Sequence, residues 1–155
     1  MIHLVLVEPE IPQNTGNVAR TCAVTGSVLH LVGPLGFQID DAKLKRAGLD
    51  YWDLLDIRLY RSIEEYFEKN PSPDLWLATS KARKRHTDAV FRDGCHILLG
   101  KETAGLPRWL IDRYPDRAVR IPQIPDGHAR CLNLSNAAAV MCYEALRQTG
   151  FRGMV

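Results

Sequence analysis

Three stretches of the chain hold residue types suited to gripping a nucleotide and steadying negative charge: Asn14-Thr15-Gly16-Asn17 with Arg20, Gly100-Lys101-Glu102-Thr103-Ala104-Gly105-Leu106-Pro107, and Arg130-Cys131-Leu132-Asn133-Leu134-Ser135-Asn136-Ala137. Arg20 follows Asn17 by about one helical turn, so on a helix their side chains share a face, with Asn14 at its start. A guanidinium stabilises charge developing on oxygen but, with a pKa above about 12, is a poor general base. Taken alone, Asn14 reads as a helix cap and Arg20 as a solvated cation. Glycines at 100 and 105 let backbone approach a ligand closely or adopt positive φ, while Gly105-Leu106-Pro107 by itself is a turn opening a short helix.

Other nucleotide and nucleophile motifs fail on these residues. A Walker loop requires G-x-x-x-x-G-K-[ST], whereas Gly94 stands six positions before Gly100 and Lys101 is followed by Glu102. A dinucleotide fingerprint would follow the first strand, where Glu8-Pro9-Glu10 stands instead. Ser135 lacks a G-x-S-x-G elbow and serves as an N-cap at least as well as a reactive group. The cysteines, Cys22, Cys95, Cys131 and Cys142, form no C-x-x-C pair, and the five histidines are scattered. Neither a zinc site nor a disulfide framework is expected, and no metal requirement.

A chain of 155 residues with 46% apolar content is expected to make one domain, 1–155, with a single substantial core. Ile2–Val7, Val28–Val32, Leu75–Thr79, His96–Leu99 and Ala118–Ile121 read as strands. Between the first two, Asn14 or Thr15 caps a helix that Gly26 stops. Ser62-Ile63-Glu64-Glu65 opens another with a capping-box pattern, and a final helix spans Leu132–Arg147, capped by Ser135 and stopped by Gly150. Alternating strands and helices with short links predict an α/β fold, a mostly parallel sheet with helices on both faces. The final helix has little polar surface on any side, so it needs a second burial partner, which a second subunit can supply.

Net charge is only +2, from 20 Lys and Arg against 18 Asp and Glu, so any grip on nucleic acid is local. Lys43, Lys45 and Arg46 form one basic cluster and Lys81-Ala82-Arg83-Lys84-Arg85-His86 a denser one. Each is a candidate phosphate contact or a solvated loop. No apolar run approaches the roughly 20 residues of a membrane span and no secretory leader is visible, so a cytoplasmic location is expected.

In their order and separations, the three opening stretches resemble the motifs of the SPOUT (α/β-knot) RNA methyltransferases, over almost the whole chain. Glu8-Pro9-Glu10-Ile11-Pro12-Gln13-Asn14-Thr15-Gly16-Asn17 and Arg46-Ala47-Gly48-Leu49-Asp50-Tyr51 are similar to the small one-domain members that modify the anticodon wobble nucleotide of tRNA. The resemblance implies a homodimer with a C-terminal trefoil knot around S-adenosyl-L-methionine. Cofactor contacts then fall on Ala78, Thr79, Gly100, Glu102, Gly105, Ile121, Pro122, Cys131, Leu132 and Asn136. The resemblance puts the catalytic arginine at Arg20, beside Asn14, Asn17 and Ser135. Tyr143 either assists there or packs in the interior. Arg83, Lys84 and Arg85, with Lys43, Lys45 and Arg46, would hold tRNA.

Chemistry assigns Arg20 to the substrate phosphate and developing alkoxide and leaves the proton acceptor open. Two departures bear on substrate choice: Ala104 stands where the family often has Arg or Thr, and the Pro122–Arg130 loop is longer. The resulting expectation is 2′-O-methylation of the wobble cytidine or modified uridine, with leucine tRNAs the substrates that resemblance favours. The rivals are methylation at another tRNA or rRNA position, a non-catalytic RNA-binding protein of the same fold, and a plain small-molecule-binding α/β domain.

Overall fold

A computed structural model describes residues 1–39, 55–125 and 131–155. Lys43, Lys45, Arg46, the Arg46–Tyr51 stretch and Gly127-His128-Ala129 lie outside the described residues. Among the described residues, seven strands, β1 (His3–Val7), β2 (Val28–Val32), β3 (Ile57–Tyr60), β4 (Leu75–Ala78), β5 (Lys84–Arg85), β6 (His96–Leu99) and β7 (Ala118–Arg120), form one sheet. Its order is β3-β2-β1-β6-β4-β7-β5, and every pairing is parallel. Among the described residues the α-helices are α1 (Pro12–Thr25), α2 (Ile63–Lys69), α3 (Arg108–Arg113) and α4 (Leu134–Gln148).

Because side chains alternate across a strand, β1 sends Leu4 and Leu6 to one face and Val5 and Val7 to the other, and both faces are buried. On the first face Leu4, Leu6, Leu29, Leu31 and Ile97 pack against Val18 and Cys22 of α1 and Ala138, Met141 and Cys142 of α4. On the second, Val5, Val32, Leu77 and Leu98 pack against Ile63 and Tyr66 of α2 and Leu110 of α3. Burying each such leucine or valine contributes about 1.5–3 kcal/mol, so the sheet is fixed from both sides. The expected layering of helices over a parallel sheet is what these residues build.

Two strands went unread in the sequence. β3 is an edge strand whose Arg58 and Leu59 are exposed, and β5 lies inside the basic run, pairing Lys84 with Val119 and Arg85 with Arg120. Charged side chains suit an open edge, where they block further pairing.

Both expected caps at the site helices are corrected. α1 begins at Pro12, ahead of Asn14 and Thr15, because proline's missing N–H costs nothing in a first turn; its N-cap position is Ile11, whose side chain cannot cap. α4 is capped by Asn133, not Ser135: Asn133 Oδ1 accepts the backbone N–H groups of Ser135 at 2.9 Å and Asn136 at 3.4 Å. Ser135 sits inside the first turn and donates its hydroxyl to the same oxygen at 2.6 Å. Ser62 does cap α2, accepting from the Glu65 N–H at 3.3 Å, but Glu65 accepts from the Arg61 N–H and so only half the capping box forms. Gly26, at φ 64°, ends α1 as read. Gly150, at φ 81°, follows α4 just past its Thr149 C-cap.

Candidate active site

Ligands of open parallel sheets bind beyond the carboxyl ends of the strands. There, a cleft of about 440 Å³ opens among Ile11 and Asn14, Ala78 to Lys81, Leu99 to Leu106, Ile121, Gln123, Cys131 to Leu134 and Ala137. It gathers the ends of β4 and β6, the segment after β7, and the starts of α1 and α4.

The floor is a reversal that only glycine permits. Gly105 N–H donates to the Lys101 carbonyl at 2.8 Å, closing the loop after β6. A Cβ on Gly100 would meet the Gly105 carbonyl carbon and the Leu106 nitrogen at 2.0 Å, and Gly105 itself stands at φ 71°. Gly100 is therefore required by the close approach of the protein's own backbone, and Gly105 by its left-handed conformation.

This loop is bound to the one after β1 by reciprocal acid contacts. Lys101 Nζ donates to Glu8 Oε2 at 2.9 Å, and the hydrogen bond and attraction of that carboxylate hold the lysine above its ordinary pKa. The Thr103 hydroxyl and N–H donate to Glu10 at 2.9–3.1 Å. In the opposite direction, Glu102 accepts the Glu10 N–H at 2.8 Å, the Ile11 N–H at 3.1 Å and the Asn14 amide at 3.0 Å. α1 has no acidic residue in its first turn, so Glu102 brings from a distant loop the negative charge that a helix N-terminus favours. Glu8 takes φ 51°, unusual for a residue with a Cβ, at the point where β1 turns into this clamp.

The third motif joins through Asn14, whose Oδ1 accepts from Asn133 Nδ2 at 2.9 Å. Glu102, Asn14, Asn133 and Ser135 thus form one hydrogen-bonded chain across the three sequence stretches. Asn133 was missed in the sequence because Ser135 looked the better cap; its signal was a capping-type residue just before the apolar run.

Of the residues expected to contact a cofactor, Ala78, Thr79, Gly100, Glu102, Gly105, Ile121, Cys131 and Leu132 line the cleft. Pro122 and Asn136 are exposed and outside the lining. Three protein donors already engage the Glu102 carboxylate, so this residue positions the cleft wall. Asn14 is buried in the wall, and Ser135 is buried with its hydroxyl turned to Asn133. Asn17 and Arg20 are exposed on α1, and Tyr143 is 45% exposed on α4; none is in the lining.

Lys81 lines the cleft, and it and the following Arg83, Lys84 and Arg85 are all exposed. Lys84 Nζ lies 5.2 Å from the centre of the Trp76 ring, a cation–π contact, and Arg83 and Arg85 are exposed. Among the described residues, no helix is long and apolar enough to cross a membrane.

Residues 1–143 match the SpoU rRNA Methylase family. The chain is 42% identical to the tRNA (cytidine(34)-2'-O)-methyltransferase of Escherichia coli strain K12, over 100% of this chain and 98% of that protein. It is 44% identical to the tRNA (cytidine(34)-2'-O)-methyltransferase of Saccharophagus degradans, over 99% of each. A solved structure described as "Structural insights into the 2-OH methylation of C/U34 on tRNA" superposes with a TM-score of 0.92 at 44% identity, covering 98% of both chains. An AdoMet-bound rRNA methyltransferase from Sinorhizobium meliloti superposes with a TM-score of 0.83 at 25% identity, covering 94% of this chain and 56% of that one.

Proposed function

The chain belongs to the SpoU rRNA methylase family, and from that premise we propose that it is a tRNA 2′-O-methyltransferase acting on the wobble ribose, with S-adenosyl-L-methionine as donor. The observation that carries the reading is the 440 Å³ cleft at the strand ends, walled by all three motif stretches through the Glu102–Asn14–Asn133 chain. Its volume lies in the range of small-molecule sites. Leu99, Ile121, Leu132 and Leu134 offer apolar contact for a base, and the Gly100–Leu106 loop offers backbone groups for polar ones. Gly100, Gly105, Ala78, Thr79, Ile121, Cys131 and Leu132 would hold the cofactor, which when bound supplies a sulfonium methyl group as the electrophile.

The protein's own part is placement and charge. A ribose hydroxyl must be held in line with the methyl group; negative charge grows on its oxygen as the proton leaves to an acceptor, and is consumed as the O–C bond forms and the S–C bond breaks to release the neutral thioether. Arg20 neutralises that charge or the adjoining phosphate, with Asn17 one turn before it on the same helix. Because Arg20 and Tyr143 lie outside the cleft lining, a second copy of the chain completes the site, docked on the exposed Val140 and Tyr143 of α4. The reading includes a single domain over 1–155, a trefoil crossing in its C-terminal part, a cytoplasmic location, and methyl transfer that needs no metal. Arg83 and Arg85, together with Lys84, would grip the anticodon stem-loop, whose unstacked bases leave the wobble 2′-hydroxyl accessible.

Transfer of labelled methyl groups to unmodified tRNAs, leucine isoacceptors among them, followed by primer-extension mapping, tests the reading. Wobble-ribose methylation that persists in chelator and weakens with salt or on neutralising Arg83, Lys84 and Arg85 is expected. Methylation elsewhere in tRNA, or only in rRNA, would overturn the substrate. Absence of cofactor binding by calorimetry would overturn the activity.

A further inference from the structure

The three histidines at positions 3, 30 and 96, scattered in sequence, meet on one face of the sheet. His3 of β1 pairs in register with His96 of β6, and His30 lies two positions along β2 from the residue paired with His3. His3 Nδ1 is 2.9 Å from His30 Nε2, and the His3 and His96 rings stack with centroids 4.2 Å apart. One nitrogen from each ring falls in a set whose members all lie within 4.8 Å of one another. We propose that His3, His30 and His96 form a binding site for a divalent transition-metal ion, most suited to Zn²⁺, at the end of the sheet opposite the cleft.

The surroundings are those of imidazoles prepared as ligands. His30 Nδ1 stands 2.9 Å from the Tyr60 hydroxyl and His96 Nδ1 stands 2.8 Å from the Tyr66 hydroxyl. In the tautomer with the ring proton on each Nδ1 and donated to a tyrosine oxygen, an outer partner fixes each ring and each Nε2 is an acceptor; that of His30 accepts from His3 Nδ1 at 2.9 Å, a hydrogen bond that an ion would replace. Four-coordinate zinc at about 2.0–2.1 Å from each nitrogen wants nitrogens about 3.3 Å apart. The His3–His30 pair at 2.9 Å is close to that spacing, whereas the His3 and His96 rings lie only 8° from parallel, so binding requires partly buried His3 to turn until its lone pair converges with the others.

His30 and His96 are buried whereas His3 is only partly so, which makes His3 the solvent side of the cluster. The opposing influence is the Arg58 guanidinium, whose charge acts on all three imidazoles. Asp56 balances it by accepting from Arg58 at 3.1 and 2.8 Å. His96 is three residues, roughly 10 Å, before the cleft residue Leu99. An ion here would tie β1, β2 and β6 together and take no part in methyl transfer.

The test uses the full chain stripped with chelator and titrated with Co²⁺ and with Zn²⁺. One Co²⁺ per chain with the intense visible absorption of four-coordinate cobalt is expected, displaced by Zn²⁺. Zinc at a hundredfold excess over its Kd should raise Tm by about 5–10 °C. His3→Ala, checked for folding by circular dichroism, should abolish the absorption and the Tm shift, whereas Cys131→Ser should keep both. Arg58→Gln, which retains every imidazole, should tighten Co²⁺ binding several-fold. Absence of a cobalt spectrum in the unaltered protein, binding that survives His3→Ala, or no tightening in Arg58→Gln would each overturn the site and leave a hydrogen-bonded His–Tyr network.

Discussion

The Asn14 side-chain amide donates to the Glu102 carboxylate at 3.0 Å, joining residues 88 positions apart. This contact makes one wall out of a helix start and a loop that neither sequence stretch could define alone. Glu102→Ala should remove three hydrogen bonds to a charged acceptor. A loss of about 2–4 kcal/mol in denaturant unfolding is expected, together with weaker cofactor binding; Glu102→Gln, which keeps an acceptor oxygen, should recover part of both. Unchanged stability in the alanine variant would show that the loops are held by other contacts.

Arg20 is exposed on α1, and circular dichroism of its variant separates folding from chemistry. Arg20→Ala is expected to slow single-turnover methyl transfer by about 10²-fold or more, as loss of an oxyanion stabiliser does, with cofactor affinity changed only a few-fold. A near-normal single-turnover rate would return Arg20 to the role of a surface cation.

Gly100→Ala places a methyl group on top of the Gly105–Leu106 peptide, where a 2.0 Å approach cannot be relieved by turning a side chain. The loop must open. Destabilisation of at least about 1–3 kcal/mol and loss of cofactor binding in calorimetry are expected together. A variant that binds normally would mean the loop has another conformation available.

The four thiols should separate cleanly in a native-state labelling experiment. Cys131 is exposed in the cleft lining, whereas Cys22, Cys95 and Cys142 are buried. Burial raises all three buried thiols, Cys95 to about 12, so their thiolates are scarce at neutral pH. One fast equivalent is expected with a thiol reagent, mass spectrometry locating it at Cys131, and S-adenosylhomocysteine should slow it. Labelling indifferent to that ligand would place the cofactor away from Cys131.

Val140 and Tyr143 remain 39% and 45% exposed on a helix whose Ala138, Met141, Cys142, Ala145 and Leu146 are in the core. Changing either to Glu should shift sedimentation to monomer and reduce methyl transfer in parallel. A fully active monomer would contradict the shared site.

What the sequence determined by itself is whatever rests on short-range pattern. β1, β2 and β6 are runs of branched apolar residues long enough to be read singly, and Gly26 ends α1 because a left-handed turn there needs no partner. The three motif stretches were legible as residue types at set spacings, and most of their expected contacts do line one cleft. Tertiary structure decided the rest, because hydrogen bonds and burial are satisfied by whichever groups arrive in space. Asn14 has the side chain of a cap yet is spent on Glu102 and Asn133, and Ser135 yields its cap role to Asn133 two positions earlier. The exposed edge strand at Ile57–Tyr60 has no strong pattern of its own and is defined by pairing with β2. The same parallel register brings His3 beside His96 and within reach of His30, a juxtaposition that separations of 27 and 66 positions conceal and the sheet alone creates.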